Sequence, residues 1–139
     1  MGKCKLLIFT LLFLCFSCEK DPTFTYGQYV VIDDELVSLE DFPNVYTSQV
    51  IDITKTTAKG GGRIYSSDAP EVTARGVCWS KSQNPTLADS HTLDGSGYGL
   101  FVSEITGLTP NTTYYVRAYA TNSVGTSYGD EVSFTTTNF

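Results

Sequence analysis

Alternation between inward and outward side chains over residues 114–120 constrains the fold of this chain more than any other feature. Tyr114, Val116, Ala118 and Ala120 fall on one face of an extended segment, and larger polar or aromatic residues fall on the other. A period of two residues is typical of a β-strand with one face on a core and the other in solvent. This part of the chain has no long stretch with helical spacing of apolar residues, so we expect no long helix.

Four further segments predict strands by the same rule. Their inward positions are Ala58, Gly60, Gly62 and Ile64 in one segment, Val77 and Trp79 in the next, then Phe101, Ser103 and Ile105, and finally Val132 and Phe134. We expect the glycines of the first segment to make room for a bulky neighbour such as Trp79. Short strands that recur every roughly 8 to 12 residues between turn residues predict an all-β sandwich or barrel.

The amino terminus has the layout of a secretory signal. Lys3 and Lys5 precede an apolar run over residues 6–16, and a small residue then precedes Cys18. The run has 11 residues, whereas a helix that spans a bilayer needs about 20, so it indicates a cleaved signal peptide. It resembles a bacterial lipoprotein signal, in which residues 1–17 are removed and Cys18 carries the lipid. The alternative is an ordinary signal peptide that is cut nearby, with Cys18 incidental.

Residues 18–44 are predicted to form a lipid-anchored acidic tether before a domain over residues 45–139. The charged stretch 19–22 resembles the segment that follows the lipidated cysteine in Bacteroidetes-type lipoproteins. It implies an outer-membrane protein that faces the cell surface, with a periplasm-facing anchor as the alternative. Two apolar runs on either side of Asp33, Asp34 and Glu35 predict a short hairpin or one strand and a turn within an otherwise simple spacer.

Charge and cysteine content exclude several classes of function. Removal of the signal lowers the formal charge from −6 to −8; no cluster of Lys and Arg is present, so we expect no nucleic-acid partner. Once Cys18 is lipidated, Cys78 is the only remaining cysteine, so no disulfide can form within the mature chain. His91 is the single histidine, and nothing would orient it with Cys78 as a catalytic pair. We expect no enzyme and no cofactor.

Three oxygen-bearing side chains, Asp89, Asp94 and Ser96, lie in a glycine-rich stretch and could be considered as calcium ligands. Their spacing differs from that of an EF-hand loop, and the terminal bidentate glutamate is missing. Tight turns that need positive φ explain the glycines more simply. We therefore expect no metal site.

The segment 108–122 resembles the turn and sixth strand of a fibronectin type III domain. Leu108, Pro110 and Tyr114 match the corner in which a tyrosine buries its ring and its hydroxyl satisfies a backbone group. The resemblance covers residues 45–137. It implies an all-β, immunoglobulin-like sandwich of two sheets and about seven strands.

A second stretch, residues 74–80, is similar to the version of this domain in Bacteroidetes-type surface proteins. Trp79 departs from the usual pattern, because it falls on the third strand rather than the second. Modules of this family are mostly non-catalytic spacers, adhesive units or protein-binding surfaces. We therefore expect a domain that binds an envelope or extracellular protein or a glycan. The alternative is a purely structural spacer or subunit without a ligand of its own.

The candidate binding surface is a strip of aromatic and charged residues on the outer face of strand 114–120 and near loop ends: Tyr98, Tyr115, Arg117, Tyr119 and Tyr128. Tyr and Arg are enriched among interface hot spots, although aromatic residues also favour exposed strands without any ligand. The family's topology implies a second candidate site. The loops around residues 66–71, 94–99 and 121–127 should gather at one end of the sandwich, away from the tether.

Overall fold

Ten β-strands and one short 3-10 helix account for the regular structure of residues 29–32, 35–65 and 68–139, the part of the chain that the computed structural model describes. The elements are β1 (Tyr29–Ile32), β2 (Glu35–Ser38), the 3-10 helix (Leu39–Asp41), β3 (Asn44–Thr47), β4 (Ala58–Tyr65), β5 (Ala74–Ser80), β6 (Ser90–His91), β7 (Gly99–Ile105), β8 (Thr113–Thr121), β9 (Thr126–Tyr128) and β10 (Val132–Thr135). Within these described ranges, no helix is long and apolar enough to cross a membrane.

The segment before the domain contains a two-stranded hairpin and the 3-10 helix. β1 and β2 pair in antiparallel fashion as a two-stranded sheet, which is the hairpin alternative of the two sequence interpretations. The predicted signal peptide, Cys18 and the start of the tether lie outside the described residues.

The other strands form two antiparallel sheets. One has the order β3-β4-β7, and the other has the order β10-β8-β5-β6, with β9 also paired to β8. β5 occupies one edge of β8, so β9 and β10 lie in line along its opposite edge. They are two parts of one last strand that is interrupted at residues 129–131. Counted in this way the sandwich has the expected number of about seven strands, and the predicted all-β, two-sheet architecture is confirmed.

The inward positions of the strands form the core between the sheets. The predicted alternation holds for Phe101, Ser103 and Ile105 in β7, all of which are buried while their neighbours in the strand are exposed. The buried core is built mainly from aliphatic residues, with three aromatic residues: Ala58, Ile64, Val72, Val77, Phe101, Ile105, Leu108, Tyr114, Val116, Ala118, Ala120 and Phe134. Trp79 and Val132 are only partly buried and pack against this cluster.

The glycines of β4 make room for residues other than Trp79. A Cβ on Gly60 would lie 3.1 Å from Ile105 Cδ1, and a Cβ on Gly62 would lie 2.7 Å from Ala118 Cβ. The β5 residue that faces Gly60 is Val77, two positions before Trp79, at 3.7 Å. The prediction for Trp79 is therefore wrong, because the register of the strands places Trp79 one inward position farther along β5.

Tyr114 fixes the turn that leads into β8. Its buried ring stacks on Phe134 with a centroid distance of 5.8 Å, and its hydroxyl oxygen accepts a hydrogen bond of 3.0 Å from the Thr109 N–H. Leu108 is buried beside this corner, whereas Pro110 is exposed. The Thr109 N–H lies at a sharp bend where no strand can pair with it, so the Tyr114 hydroxyl supplies the acceptor that this backbone donor needs.

Backbone groups next to the interruption of the last strand find hydrogen-bond partners outside regular strand pairing. The Ala118 N–H donates to Thr47 Oγ1 at 3.0 Å, so a buried threonine of the opposite sheet replaces a strand partner. The Gly129 N–H donates to the Ala118 carbonyl oxygen at 2.9 Å, and Arg117 Nε donates to the Gly129 carbonyl oxygen at 3.0 Å. Buried backbone groups therefore keep partners despite the gap between β9 and β10.

We expect Tyr114→Phe to lower the free energy of unfolding by about 1 kcal/mol, because the Thr109 N–H loses its acceptor while the stacked ring remains. Urea denaturation followed by tryptophan fluorescence measures the change. Tyr115→Phe, one residue along the same strand and half-buried, is the matched control and should change stability by less than about 0.5 kcal/mol. An equal loss in both variants would contradict the role of the Tyr114 hydroxyl.

Candidate functional site

Tyr119 is not part of an exposed surface. Its side chain is 2% exposed, its hydroxyl donates to the Thr92 carbonyl oxygen at 2.5 Å, and the His91 ring meets it edge-on with a centroid distance of 6.2 Å. The prediction that Tyr119 belongs to a binding surface is wrong. The physical reason is that Tyr119 reaches across β5 to His91 and Thr92 at the edge of the sheet. The chain between β5 and β6 covers the neighbouring Cys78 through Pro85.

Arg117 and Tyr128 hold the same covering segment in place. The Arg117 guanidinium lies 4.8 Å from the centre of the Tyr128 ring, and the Tyr128 hydroxyl oxygen accepts a hydrogen bond of 3.2 Å from the Leu87 N–H. The Asn84 N–H also donates to the Glu131 carboxylate. Polar groups that would otherwise be available to a ligand are thus occupied by contacts within the domain.

The remaining two residues of the predicted strip lie apart from each other. Tyr98 belongs to the approach to β7, where its hydroxyl donates to the Ala69 carbonyl oxygen at 3.1 Å. Tyr115 is half-buried in β8, opposite Ser133 in β10 and Ser80 in β5. The structure therefore brings Arg117, Tyr119 and Tyr128 together as packing groups, and Tyr115 stays half-buried without a contact to them.

Cys78 and His91 are neighbours across β5 and β6, but their surroundings do not suit nucleophilic chemistry. The Cys78 sulfur is buried, 3.4 Å from the carbonyl oxygens of Pro85 and Arg117. Burial raises the pKa of the Cys78 thiol from 9.0 to about 11, so the thiol is protonated at neutral pH. The exposed His91 places Nδ1 2.9 Å from the Asp89 carbonyl oxygen, not from the thiol.

The acidic side chains considered as calcium ligands serve the fold. Asp94 Oδ2 accepts hydrogen bonds from Thr92 Oγ1 at 2.5 Å and from Ser103 Oγ at 2.6 Å. Asp89 Oδ2 accepts the Thr86 N–H at 2.9 Å, and Ser96 is exposed. Among the residues that the structure describes, no group of three or more His, Cys, Asp or Glu side chains could hold a metal ion.

The three predicted loops do meet at one end of the sandwich. The Gly97 N–H donates to the Val72 carbonyl oxygen at 2.8 Å, and the Thr73 N–H donates to the Thr121 carbonyl oxygen at 2.8 Å. Asn122 Nδ2 donates to the carbonyl oxygens of Pro70 at 3.4 Å and Asp41 at 2.6 Å.

The chain enters the domain at this same end, so the prediction that the loops lie away from the tether is wrong. β3 runs antiparallel to β4, which places Asn44 opposite Tyr65, the last residue of β4. The segment that precedes β3 therefore arrives next to the loop that leaves β4. Phe42 packs there so closely that a Cβ on Gly125 would lie 2.8 Å from the ring.

The outer face of the three-stranded sheet carries large exposed side chains that the sequence interpretation missed. Tyr46 is 49% exposed and Tyr65 is 43% exposed, and Arg63 lies opposite Tyr46 with its guanidinium 5.1 Å from the centre of the Tyr65 ring. We call Tyr46, Arg63 and Tyr65 the tyrosine-arginine patch. The outward position of Arg63 and Tyr65 could have been predicted from the sequence, because residues between the inward positions of β4 must point to the other face of the sheet.

Comparison with solved structures identifies the fold. The sixth fibronectin type III domain of human fibronectin type III domain containing protein 3 is 28% identical to this chain, with a TM-score of 0.52. The match covers 70% of this chain and 88% of that one. Another human fibronectin III domain, the third of its protein, is 17% identical, with a TM-score of 0.52 and coverage of 72% and 87%. The sensor domain of the anti-sigma factor RsgI4 from Pseudobacteroides cellulosolvens is 17% identical, with a TM-score of 0.52 and coverage of 70% and 96%.

No protein-family model and no curated protein matches the chain. The fold is nevertheless a fibronectin type III-like, immunoglobulin-like sandwich. The fibronectin type III neighbours are non-enzymatic domains, and the fold supports a binding or structural module.

Cys78 should make stability fall in alkaline solution. Because its pKa is raised from 9.0 to about 11 in the folded chain, the unfolded thiol loses its proton first. The contribution of the neutral thiol is complete below pH 9.0 and is lost as the pH rises towards about 11. Urea denaturation across this range measures the slope. Cys78→Ala, the control, should show a shallower slope, and equal slopes would contradict the assignment.

Proposed function

We propose that this chain is a non-enzymatic lipoprotein of the cell envelope, anchored through Cys18 to the outer membrane and facing the cell surface. Its fibronectin type III-like domain binds a protein or a glycan through the tyrosine-arginine patch. The observation that carries the proposal is the exposure of Tyr46 and Tyr65 beside Arg63 on a sheet face that no segment of the described chain covers.

Composition and geometry both favour the tyrosine-arginine patch as a contact surface. Tyrosine offers a large apolar ring with a polar tip, and Tyr and Arg are enriched among interface hot spots. The patch lies on two adjacent strands, so its side chains are held by a rigid scaffold. Since the opposite sheet has its outer face partly covered by the chain between β5 and β6, the three-stranded sheet offers the more open face.

The absence of suitable catalytic groups in the described residues supports a binding role over an enzymatic one. The buried Cys78 thiol is neutral at physiological pH, and the carboxylates of Asp89 and Asp94 accept hydrogen bonds that hold loops together. Exposed tyrosines and an arginine need no proton transfer to bind a partner.

The proposed anchor rests on the sequence before the domain. A basic start, a short apolar run and a small residue before Cys18 match a lipoprotein signal. The tether would then reach the domain at the end where Asn44 pairs with Tyr65. In that arrangement the tyrosine-arginine patch lies at the tethered end of the domain, on the outer face of the three-stranded sheet.

We expect the native host to attach a labelled fatty acid to the full chain at Cys18. Metabolic labelling followed by gel electrophoresis should show label in the unaltered chain and in Cys15→Ala, the matched control three residues earlier. Cys18→Ala should carry no label. Label that persists in Cys18→Ala would reject the anchor without affecting the proposed binding surface.

We expect Tyr46→Ala combined with Tyr65→Ala to weaken binding at least about 30-fold, since loss of one hot-spot side chain costs about 2 kcal/mol or more. Glycan arrays and capture of envelope proteins from the host identify the ligand, and titration measures its affinity. Tyr115→Ala, on the opposite sheet, is the control and should bind as the unaltered chain does.

Two results would count against this surface. Unchanged affinity of the double variant would place binding elsewhere on the domain. Blank glycan arrays together with no captured protein would favour the alternative, a structural spacer or subunit. Thermal unfolding of each variant checks that the domain is intact, and exposed substitutions of this kind should shift stability only slightly.

A further inference from the structure

β7 is an open edge of the three-stranded sheet. It pairs with β4 from Ala58↔Ile105 to Ile64↔Gly99, and it ends the strand order β3-β4-β7. Its second edge therefore has no strand partner within the described ranges. A strand of seven residues with a free edge presents a row of backbone donors and acceptors that another strand can pair with.

The opposite edge of the same sheet is different. β3 has only four residues, and its last residue, Thr47, is buried against β8 through the bond from the Ala118 N–H. That contact closes the sandwich on the β3 side. Of the two edges of the sheet, β7 is the one that could accept a further strand.

β7 lacks the features by which natural edge strands avoid pairing. Its sequence Gly-Leu-Phe-Val-Ser-Glu-Ile contains no proline and no lysine, and its register with β4 runs without a bulge. Such features normally keep edges apart. Glu104 is the only charged residue in the strand, so little electrostatic repulsion protects it.

Apolar side chains line the same side of the domain. Leu100 is 72% exposed and Val102 is 67% exposed, both on the outer face of β7. Leu93 is 73% exposed and directly precedes Asp94, whose carboxylate is bonded to Ser103 of β7. Exposed apolar residues that cluster beside a free edge mark an interaction site rather than ordinary surface.

We propose that β7 pairs with β7 of a second copy of this chain, antiparallel across a two-fold axis centred on Val102. The two three-stranded sheets then become one continuous sheet of six strands. A two-fold contact of this kind uses the same surface on both copies and closes after two. It fills the free edges of both chains at once.

Charge disfavours a register centred on Glu104, and the register centred on Val102 opposes no like charges. With the axis at Val102, the two Val102 side chains lie opposite each other and Leu100 lies opposite Glu104 of the second copy. The two Glu104 carboxylates are then four residues apart along the strands, about 13 Å, which exceeds the screening length of about 8 Å at physiological salt. An axis at Glu104 would instead place two negative charges face to face.

The size of the contact sets its strength. One pair of seven-residue edges with a few aliphatic side chains buries less than the roughly 1,600 Å² of a standard interface. We therefore expect a dimer that dissociates on dilution. The net negative charge of each chain opposes association, so added salt should favour the dimer.

Cysteine cross-linking in the full chain tests the proposal. Every variant carries Ser in place of Cys4, Cys15 and Cys18, and Cys78 is buried, so the introduced cysteine is the exposed thiol that reacts. Opposed residues of an antiparallel pair have Cα atoms about 4.5–5.5 Å apart, within reach of a disulfide. Val102→Cys should therefore form a disulfide-linked dimer under mild oxidation, seen on a non-reducing gel. Glu104→Cys, at about 13 Å from its equivalent, and the exposed Ile51→Cys should cross-link at least about tenfold more slowly.

A matched pair of second substitutions tests the register. In the Val102→Cys background, Leu100→Asp would face Glu104 of the second copy with like charge, whereas Leu100→Lys would face it with opposite charge. Both remove the same aliphatic side chain. Because Arg63 of the same chain also lies opposite position 100, the urea unfolding midpoint of each variant is measured alongside its cross-linking rate. We expect the Asp variant to cross-link several-fold more slowly than the Lys variant, with circular dichroism confirming that both are folded.

Several results would overturn the proposal. Equal cross-linking rates at positions 102, 104 and 51 would indicate random collisions, and equal rates for the Asp and Lys variants would reject the register. Cross-linking of Val102→Cys to a different protein, with no linked dimer, would show that the edge accepts a foreign strand instead of a second copy.

Discussion

The pairing of β5 with β8 is the interaction on which both layers of the sandwich depend. Seven residue pairs join the two strands, from Ala74↔Thr121 to Ser80↔Tyr115. On the inner side this ladder presents Val77 and Ala118 to the core between the sheets. On the outer side it presents Cys78, which contacts Pro85 of the chain between β5 and β6. It also presents Tyr119, which contacts His91 and Thr92, and both side chains are buried. The centre of this sheet is therefore covered on both faces.

This two-sided burial explains where inference from sequence succeeded and where it failed. Alternation predicted the inward residues of β7 and β8 because a period of two follows directly from strand geometry. It assigned Tyr119 to solvent, because nothing local in β8 reveals that His91 and Thr92 contact its side chain on the outer face. Arg117 likewise has no local sign that it supports a break in a neighbouring strand. The overall fold was thus predictable, whereas the exposed surface depended on contacts between distant segments.

Local sequence patterns also could not predict at which end of the sandwich the chain enters the domain. The number of strands and the position of the tyrosine corner do not determine at which end β3 begins. The register Asn44↔Tyr65 does so, and Asn122 strengthens it through its bond to the Asp41 carbonyl oxygen. As a result, the three loops at that end are partly occupied by the incoming chain. This occupation makes the loop end a poorer binding site than its position in the family's topology implies.

The outer faces of the two sheets therefore differ. The five-stranded sheet uses its aromatic and charged outer residues to secure a loop, whereas Tyr46, Arg63 and Tyr65 of the three-stranded sheet are exposed. Pairing through β7 would leave Tyr65 one strand and Tyr46 two strands from the joined edge, with Arg63 opposite Leu100 of β7. It would also place two copies of the patch on one continuous sheet. A ligand with repeated features could then bind both copies, and a weak contact at each patch would gain strength from the second.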